Sequence, residues 1–279
     1  MSRMADVKRS VESHYGVDGI LESILKALQA MGKNIEQLTP EDLAPVDEFH
    51  IRGREATVEL ASRAKLVPGS RVLDVGCGLG GSVRYLATEH NCQATGIDLT
   101  AEYIEVATAL AERVGLSNAV EFRQASALAL PFDAGSFDVV WTEHVQMNIS
   151  DKSGFYGEIA RVLKPGGRLV FHDIFAGDGG EPHFPVPWAE ESAISFLEKL
   201  TSLRAILDKV GLKTLDWEDK SQHSLEWFKA VVEKTKESGP SPLGLHLLMR
   251  ETAGTKFENV IRNLQENRIV VVQAMVDKT

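Results

Sequence analysis

Short aliphatic runs recur through the middle of the chain, and longer amphipathic stretches separate them. The first run, 71–75, sets three apolar residues around one carboxylate, Asp74. It is almost continuous rather than alternating, the pattern of a strand buried on both faces of a parallel sheet. Comparable runs lie at 93–97, 120–124, 137–142 and 168–174. Between them, helical spacing covers about 81–90, about 101–114 (closed by Gly115), and a stretch containing Phe155, Ile159 and Leu163. Lys164-Pro165-Gly166-Gly167 reads as a tight turn into the fifth strand. The alternation predicts an α/β fold, a doubly wound sheet with right-handed crossovers.

The flanks follow a different pattern. Residues 1–66 read as helical, with Ile20, Leu21, Ile24, Leu25 and Leu28 on one face and Gly32 as a stop. Thr39 and Pro40, followed by Glu41 and Asp42, form a helix start signal. A helix over 54–64 feeds the first strand through Val67-Pro68-Gly69-Ser70. Beyond the fifth strand, 175–193 is rich in glycine and proline and reads as an irregular loop. A helix at about 195–210, a sixth strand near 212–217, and helices over 222–266 broken at Gly239-Pro240-Ser241-Pro242 come next. A β-branched strand over 268–276 closes the chain. The expected organisation is an N-terminal helical cap, 1–67, and a core, 68–279, with cap insertions at about 175–193 and 222–266.

Composition narrows the partners. Thirty basic against forty acidic side chains, a formal charge of −10, argue against a nucleic-acid surface. Cys77 and Cys92 have neither zinc-site spacing nor the density of a disulfide framework, so a reduced cytoplasm is expected. The first ten residues lack the apolar segment of a secretory signal, and no apolar run reaches membrane-spanning length. A small-molecule substrate is therefore the expected partner, without nucleic acid or membrane insertion; a homodimer is a further expectation.

Candidate chemistry begins where the first strand ends. Gly76, Gly78 and Gly81 match G-x-G-x-x-G, and Asp98 closes the second strand. Dinucleotides and sulfonium cofactors both use this arrangement. Asp74 separates them: a carboxylate two residues before the turn would repel a pyrophosphate and attract an ammonium group. Two further motifs follow in order. One is Ala127-Leu128-Ala129-Leu130-Pro131-Phe132 with Gly135-Ser136-Phe137-Asp138-Val139-Val140; the other is Leu163-Lys164-Pro165-Gly166-Gly167-Arg168-Leu169.

Together these residues resemble the class I S-adenosylmethionine-dependent methyltransferases, in the small-molecule branch that includes the ubiquinone/menaquinone, sterol and sarcosine/dimethylglycine enzymes. The resemblance covers roughly 68–175. It implies a Rossmann-like seven-stranded sheet with an antiparallel last strand, plus a helical cap. It also implies that Asp74, Gly76 and Gly78, with Cys77 in the same turn, hold the methionine end of the cofactor. Asp98 would bind the ribose, and Leu99 would pack on the adenine. Ser126, where many relatives carry an acid, would recognise the adenine together with the Ala127 backbone N–H. Glu143 and His144 would lie near the transferring methyl.

Methyl transfer from a sulfonium is an in-line displacement, and positioning supplies much of its acceleration. A base is needed only where the nucleophile must lose a proton. His144, His172, His50 and Glu143 are the candidates, since histidine titrates near neutrality and a buried Glu can be raised towards it. Tyr15, His50, Arg52, His172 and Trp188 are candidate acceptor contacts. No metal is expected; the product would be S-adenosylhomocysteine. The acceptor atom stays open between nitrogen, oxygen and carbon. The alternatives are a nicotinamide-dependent oxidoreductase and a cofactor-binding protein without catalysis.

Overall fold

The structure, a computed structural model, describes residues 3–239 and 241–279. Seven strands form one sheet in the order β3-β2-β1-β4-β5-β7-β6. They are β1 (Arg71–Val75), β2 (Gln93–Asp98), β3 (Val120–Gln124), β4 (Phe137–Glu143), β5 (Leu163–Ala176), β6 (Leu212–Asp219) and β7 (Ile269–Lys278). The first five strands pair in parallel, while β7 runs antiparallel to both β5 and β6. The doubly wound sheet with an antiparallel last strand is the observed fold.

The helices are α1 (Arg3–Tyr15), α2 (Ile20–Ala30), α3 (Pro40–Asp47), α4 (Gly53–Ala64), α5 (Gly81–His90) and α6 (Ala101–Arg113). They continue with α7 (Lys152–Val162), α8 (Leu200–Lys209), α9 (Ser221–Ser238), α10 (His246–Met249) and α11 (Ala253–Gln265). Thr39 caps α3 as expected: its side chain accepts from Asp42 N, and the Asp42 carboxylate returns to Thr39 N at 2.9 Å. Such reciprocal capping satisfies two N–H groups that the first turn leaves unpaired.

Two boundaries differ from the sequence reading. Strand β5 begins at Leu163, and Lys164–Gly167 form a bulge rather than a separate turn. Phe137 pairs with Leu163 and Val139 already with Arg168, so the extra residues loop out, with Gly166 at φ 72°. The expected helix at 195–210 begins only at Leu200, after a single 3-10 turn at Ser192–Ile194. Pro240, part of the expected break in 222–266, lies outside the described residues.

Because β1 lies between β2 and β4, connections leave it on both sides, and a crevice opens at its carboxyl end. Val72, Leu73 and Val75 are wholly buried beneath it. Ile20, Ile24 and Leu28 of α2 and Leu43 of α3 pack with Tyr103 and Leu110 of α6 and Leu248 of α10. The N-terminal helices are thus bound to the sheet's crevice end by apolar contact. A buried ion pair adds to it, Arg84 Nη2 of α5 lying 2.7 Å from Asp47 Oδ2 of α3. Among the described residues no helix is long and apolar enough to cross a membrane.

Candidate functional site

The glycine turn is stitched to the end of β2. Gly76 N and Cys77 N both donate to Ile97 O, at 2.8 and 2.9 Å. Gly78 N donates to Asp98 Oδ2 at 3.0 Å, and Thr100 N to Asp98 Oδ1 at 2.8 Å. Gly78 has φ 52°, and a Cβ built on it would meet nothing within 4 Å, so this backbone is bare on the crevice side. Above it lies a cavity of about 350 Å³, within the usual range for small-molecule sites.

The structure gathers most of the candidate residues around this cavity. Asp74, Gly76, Cys77 and Gly78 form its floor, and Asp98 and Leu99 form one wall. Ser126 and Ala127 line the stretch after β3, while Glu143 and His144 line the end of β4. Ser126 is itself held in a turn, its carbonyl accepting from Ala129 N at 3.0 Å. Tyr15, at the end of α1, and His50, in the loop between α3 and α4, also line the cavity.

Three candidates are not on its wall. Arg52 turns away to Glu59, with Nη1 2.7 Å from Oε2. His172 is fully buried behind the cavity, its Nε2 3.0 Å from Ile51 O. Trp188 is buried beyond His50, its indole N–H donating to Ser195 Oγ at 3.0 Å. Arg52 is held by an opposite charge, His172 by a backbone carbonyl, and Trp188 by a hydroxyl within an apolar cluster.

Carboxylates dominate the electrostatics. Glu143 is buried, and its Oε2 accepts from Ser82 Oγ at 2.6 Å and Trp141 Nε1 at 2.8 Å. Burial raises the Asp74 carboxyl well above its ordinary value, and Glu143 and Asp98 push it the same way. Asp98 is also raised by burial, against the backbone N–H groups of Thr100 and Gly78. Burial is the first cause of both shifts, and a cation brought beside these carboxylates would favour their charged forms.

Three histidines lie beside these acids. Ring centroids separate His50 from His144 by 6.0 Å, His50 from His172 by 5.9 Å, and His144 from His172 by 5.0 Å. Burial opposes the charge on His50, but Glu143 and Glu48 outweigh it and lift its pKa to about 9. Burial lowers His172 to about 3, with the His50 cation acting in the same direction. Burial, His172 and His50 together hold His144 well below 6.5. The surroundings thus favour the charged form at His50 and the neutral form at His144 and His172.

Several contributors were not foreseen. Glu48 bonds Thr57 Oγ1 at 2.5 Å and pairs with Arg54, anchoring the segment that carries His50. Asn148 accepts from Tyr15 OH at 2.8 Å and donates to Trp188 O and Ile194 O at 2.9 Å. Asp173 Oδ2 accepts from Val145 N and Gln146 N, both at 3.1 Å. The nearest signal for Glu48 was its place two residues before the candidate His50; Asn148 had none.

Residues 73–171 match the methyltransferase domain family. An O-methyltransferase of Pyrenophora dematioidea is 31% identical over 180 residues, 64% of this chain and 67% of the relative. Methyltransferase GfsG of Streptomyces halstedii is 30% identical over 216 residues, 76% of this chain and 74% of the relative. Geranyl diphosphate C-methyltransferase of Streptomyces coelicolor A3(2), solved with Mg2+, geranyl-S-thiolodiphosphate and S-adenosyl-L-homocysteine, shares the fold. It aligns at TM-score 0.71 and 16% identity over 100% of this chain and 99% of that one. This chain belongs to the class I S-adenosylmethionine-dependent methyltransferases and transfers the cofactor's methyl group to a small-molecule acceptor.

Proposed function

We propose that the cavity above the glycine turn is the cofactor site and that the acceptor meets the methyl at its His50–His144 end. The observation that carries this is the convergence of every candidate cofactor residue on one cavity. S-adenosylmethionine, when bound, supplies a methyl group on a sulfonium, already a good leaving group. The protein's part is to hold and orient. Asp98, its oxygens fixed by the Gly78 and Thr100 N–H groups, keeps lone pairs free for two ribose hydroxyls. Asp74 and the bare Gly76–Gly78 backbone would take the ammonium end, and Leu99, Ser126 and Ala127 the adenine. The same carboxylates would repel a pyrophosphate, which sets aside a nicotinamide cofactor.

Glu143 is tied to Ser82, Trp141 and Thr57, so its role is to set the charge and position of His50. His144 lines the cavity and is the candidate base. His172 acts through it, its carbonyl accepting His144 N at 2.9 Å. Helices of 1–67, with the 175–193 and 222–266 segments, form the cap that selects the acceptor. Two free, buried cysteines suit a reduced, cytoplasmic setting. Isothermal titration with S-adenosylmethionine and S-adenosylhomocysteine tests the site; absence of heat at millimolar cofactor would sink it.

A further inference from the structure

A second pocket, of about 570 Å³, lies across α1 from the cofactor cavity. Val7, Lys8, Val11 and Tyr15 line the cofactor cavity, while Asp6, Arg9, Ser10, Ser13 and His14 line the second pocket. At helical spacing these two sets fall on opposite faces, so α1 is the partition between the spaces. Tyr15 and Phe49 line both, their ring centroids 6.2 Å apart and edge to face. Phe49 directly precedes His50, so the two pockets meet beside the end of the cavity proposed for the methyl.

Ile194, Leu248 and Met249, all buried, give the second pocket an apolar lining. Of the charged residues described along its wall, only Lys256 of α11 is buried, at 3% exposed. Its Nζ lies 2.5 Å from Glu190 Oε1 and donates to Met249 O at 3.5 Å. An ammonium has three N–H donors, and among the described residues two are taken. Glu190 stands on the loop between β5 and α8, and its side chain is 52% exposed. Such a carboxylate can turn into water at little cost, whereas the buried ammonium cannot follow it. A buried charge left alone is expensive, so the place opposite Nζ calls for an anion.

We infer that this pocket takes the acceptor, and that the acceptor carries a carboxylate or phosphate, which displaces Glu190 from Lys256. This rests on the methyltransferase reading and names the acceptor's charge class. The pocket's walls come from α1, the 187–194 segment, α10 and α11, which belong to the proposed cap. From Lys256 the rest of the molecule runs past the Tyr15 and Phe49 rings towards the methyl.

Three carboxylates share the wall with Lys256: Asp6, Glu190 and Glu191. All three are exposed, where water and salt screen them, and Asp6 is paired with Arg9 at 2.5 Å. A buried ammonium is screened far less, so Lys256 sets the sign of charge a ligand must bring. A cationic acceptor would lie against it unpaired.

The test is isothermal titration of the full chain, first with S-adenosylhomocysteine and then, once saturated, with acetate or inorganic phosphate at fixed ionic strength. Glu190→Gln removes the competing carboxylate and should bind one of the two anions several-fold more tightly than wild type. The tighter anion identifies the acceptor's charged group. Glu190→Gln combined with Lys256→Met should bind neither; replacing both charges avoids the penalty of stranding one, which keeps this control folded. No anion heat in Glu190→Gln, or heat that survives in the double variant, overturns the site. Placement beside the methyl is read with nitrogen-for-sulfur analogues of S-adenosylmethionine whose methyl is replaced by carboxyalkyl chains of increasing length. At one length the carboxylate should bind several-fold more tightly than its amide, an advantage lost in the double variant. Equal affinities at every length overturn the acceptor's placement. Absence of S-adenosylhomocysteine heat in wild type strikes the cofactor site instead.

Discussion

Gly76 and Val145 are packed so closely that no methyl group fits between them. A Cβ built on Gly76 would fall inside the van der Waals envelope of Val145 Cγ2, and Gly76 has φ 79°. The turn after β1 and the loop after β4 therefore share one contact, and that contact places the cofactor floor beside His144. A β-branched neighbour cannot swing aside cheaply. Gly76→Ala should cost about 2–5 kcal/mol from left-handed strain plus overpacking. The expected outcome is a lowered Tm together with weakened cofactor binding, read by thermal melts with and without S-adenosylmethionine. An unchanged melt and affinity would show that the loop yields freely.

The ribose role proposed for Asp98 makes a graded prediction. Asp98→Ala removes the acceptor for Gly78 N and Thr100 N as well as the ligand contact. Charged hydrogen bonds of this kind are worth about 1.5–3 kcal/mol, so cofactor Kd should rise roughly tenfold to a hundredfold. Asp98→Asn keeps one carbonyl oxygen and should fall between. Titration calorimetry on the three proteins checks the order, and equal affinity across them rejects the assignment.

The parts of this fold that were legible in the sequence are those fixed by local pattern. The buried β1 run, the glycine turn, and Asp98 at the end of β2 needed only neighbouring residues to be read, and all of them meet at one cavity. Long-range pairings were not legible. Nothing announces that Lys220, 161 residues away, pairs at 2.5 Å with the same Glu59 that holds Arg52. His172 was a candidate base because histidine titrates near neutrality. Its orientation was set by Ile51 O, 121 residues away. The β5 bulge was hidden because Lys164-Pro165-Gly166-Gly167 has turn composition whether or not the strand continues through it.

The buried Arg84–Asp47 pair should be expensive to break. Both side chains are fully buried, and the guanidinium also donates to Leu79 O at 2.8 Å, directly behind the glycine turn. Removing the guanidinium leaves Asp47 only the more distant Arg54, at 3.9 Å, and breaking a buried pair typically costs about 3–5 kcal/mol. Arg84→Met should therefore lower stability by this order, measured by urea unfolding. Replacing both, Arg84→Met with Asp47→Leu, should recover part of the loss. A single substitution that unfolds at the wild-type midpoint would contradict the pair's importance.

His50 predicts the alkaline limb of stability. Its folded pKa, about 9, lies above the ordinary value of 6.5, because Glu143 and Glu48 overcome the burial that opposes its charge. A group raised in the folded state contributes its stability in full below the unfolded value and loses it as pH climbs through the folded one. Wild-type Tm should therefore fall between about pH 6.5 and 9, more steeply than that of His50→Gln. His172, lowered to about 3, acts on the other side, its contribution being lost as pH falls from 6.5 towards 3. The difference between wild type and His50→Gln isolates the alkaline term, and parallel melts over that window would remove it.

Asp173 governs His144 without touching the cavity. Its Oδ2 accepts from Val145 N and Gln146 N, and its Oδ1 from Ile174 N at 2.8 Å. These bonds pin the loop immediately after His144, a residue held at φ 53° where a side chain is rarely at ease. Lys152 clamps the same loop from below, donating to Gln146 O at 2.6 Å and Ile149 O at 2.5 Å. Asp173→Asn turns an amide donor towards one of the three N–H groups and leaves it unpaired. That should cost about 1–3 kcal/mol in stability. If His144 needs that loop to stay in place, kcat should fall further than the cofactor affinity, and Asp173→Glu should not restore it, since a longer carboxylate cannot reach the same three N–H groups. Steady-state kinetics beside cofactor titration separates the two effects. A kcat that drops only in proportion to the folded fraction would make Asp173 a stabilising residue and nothing more.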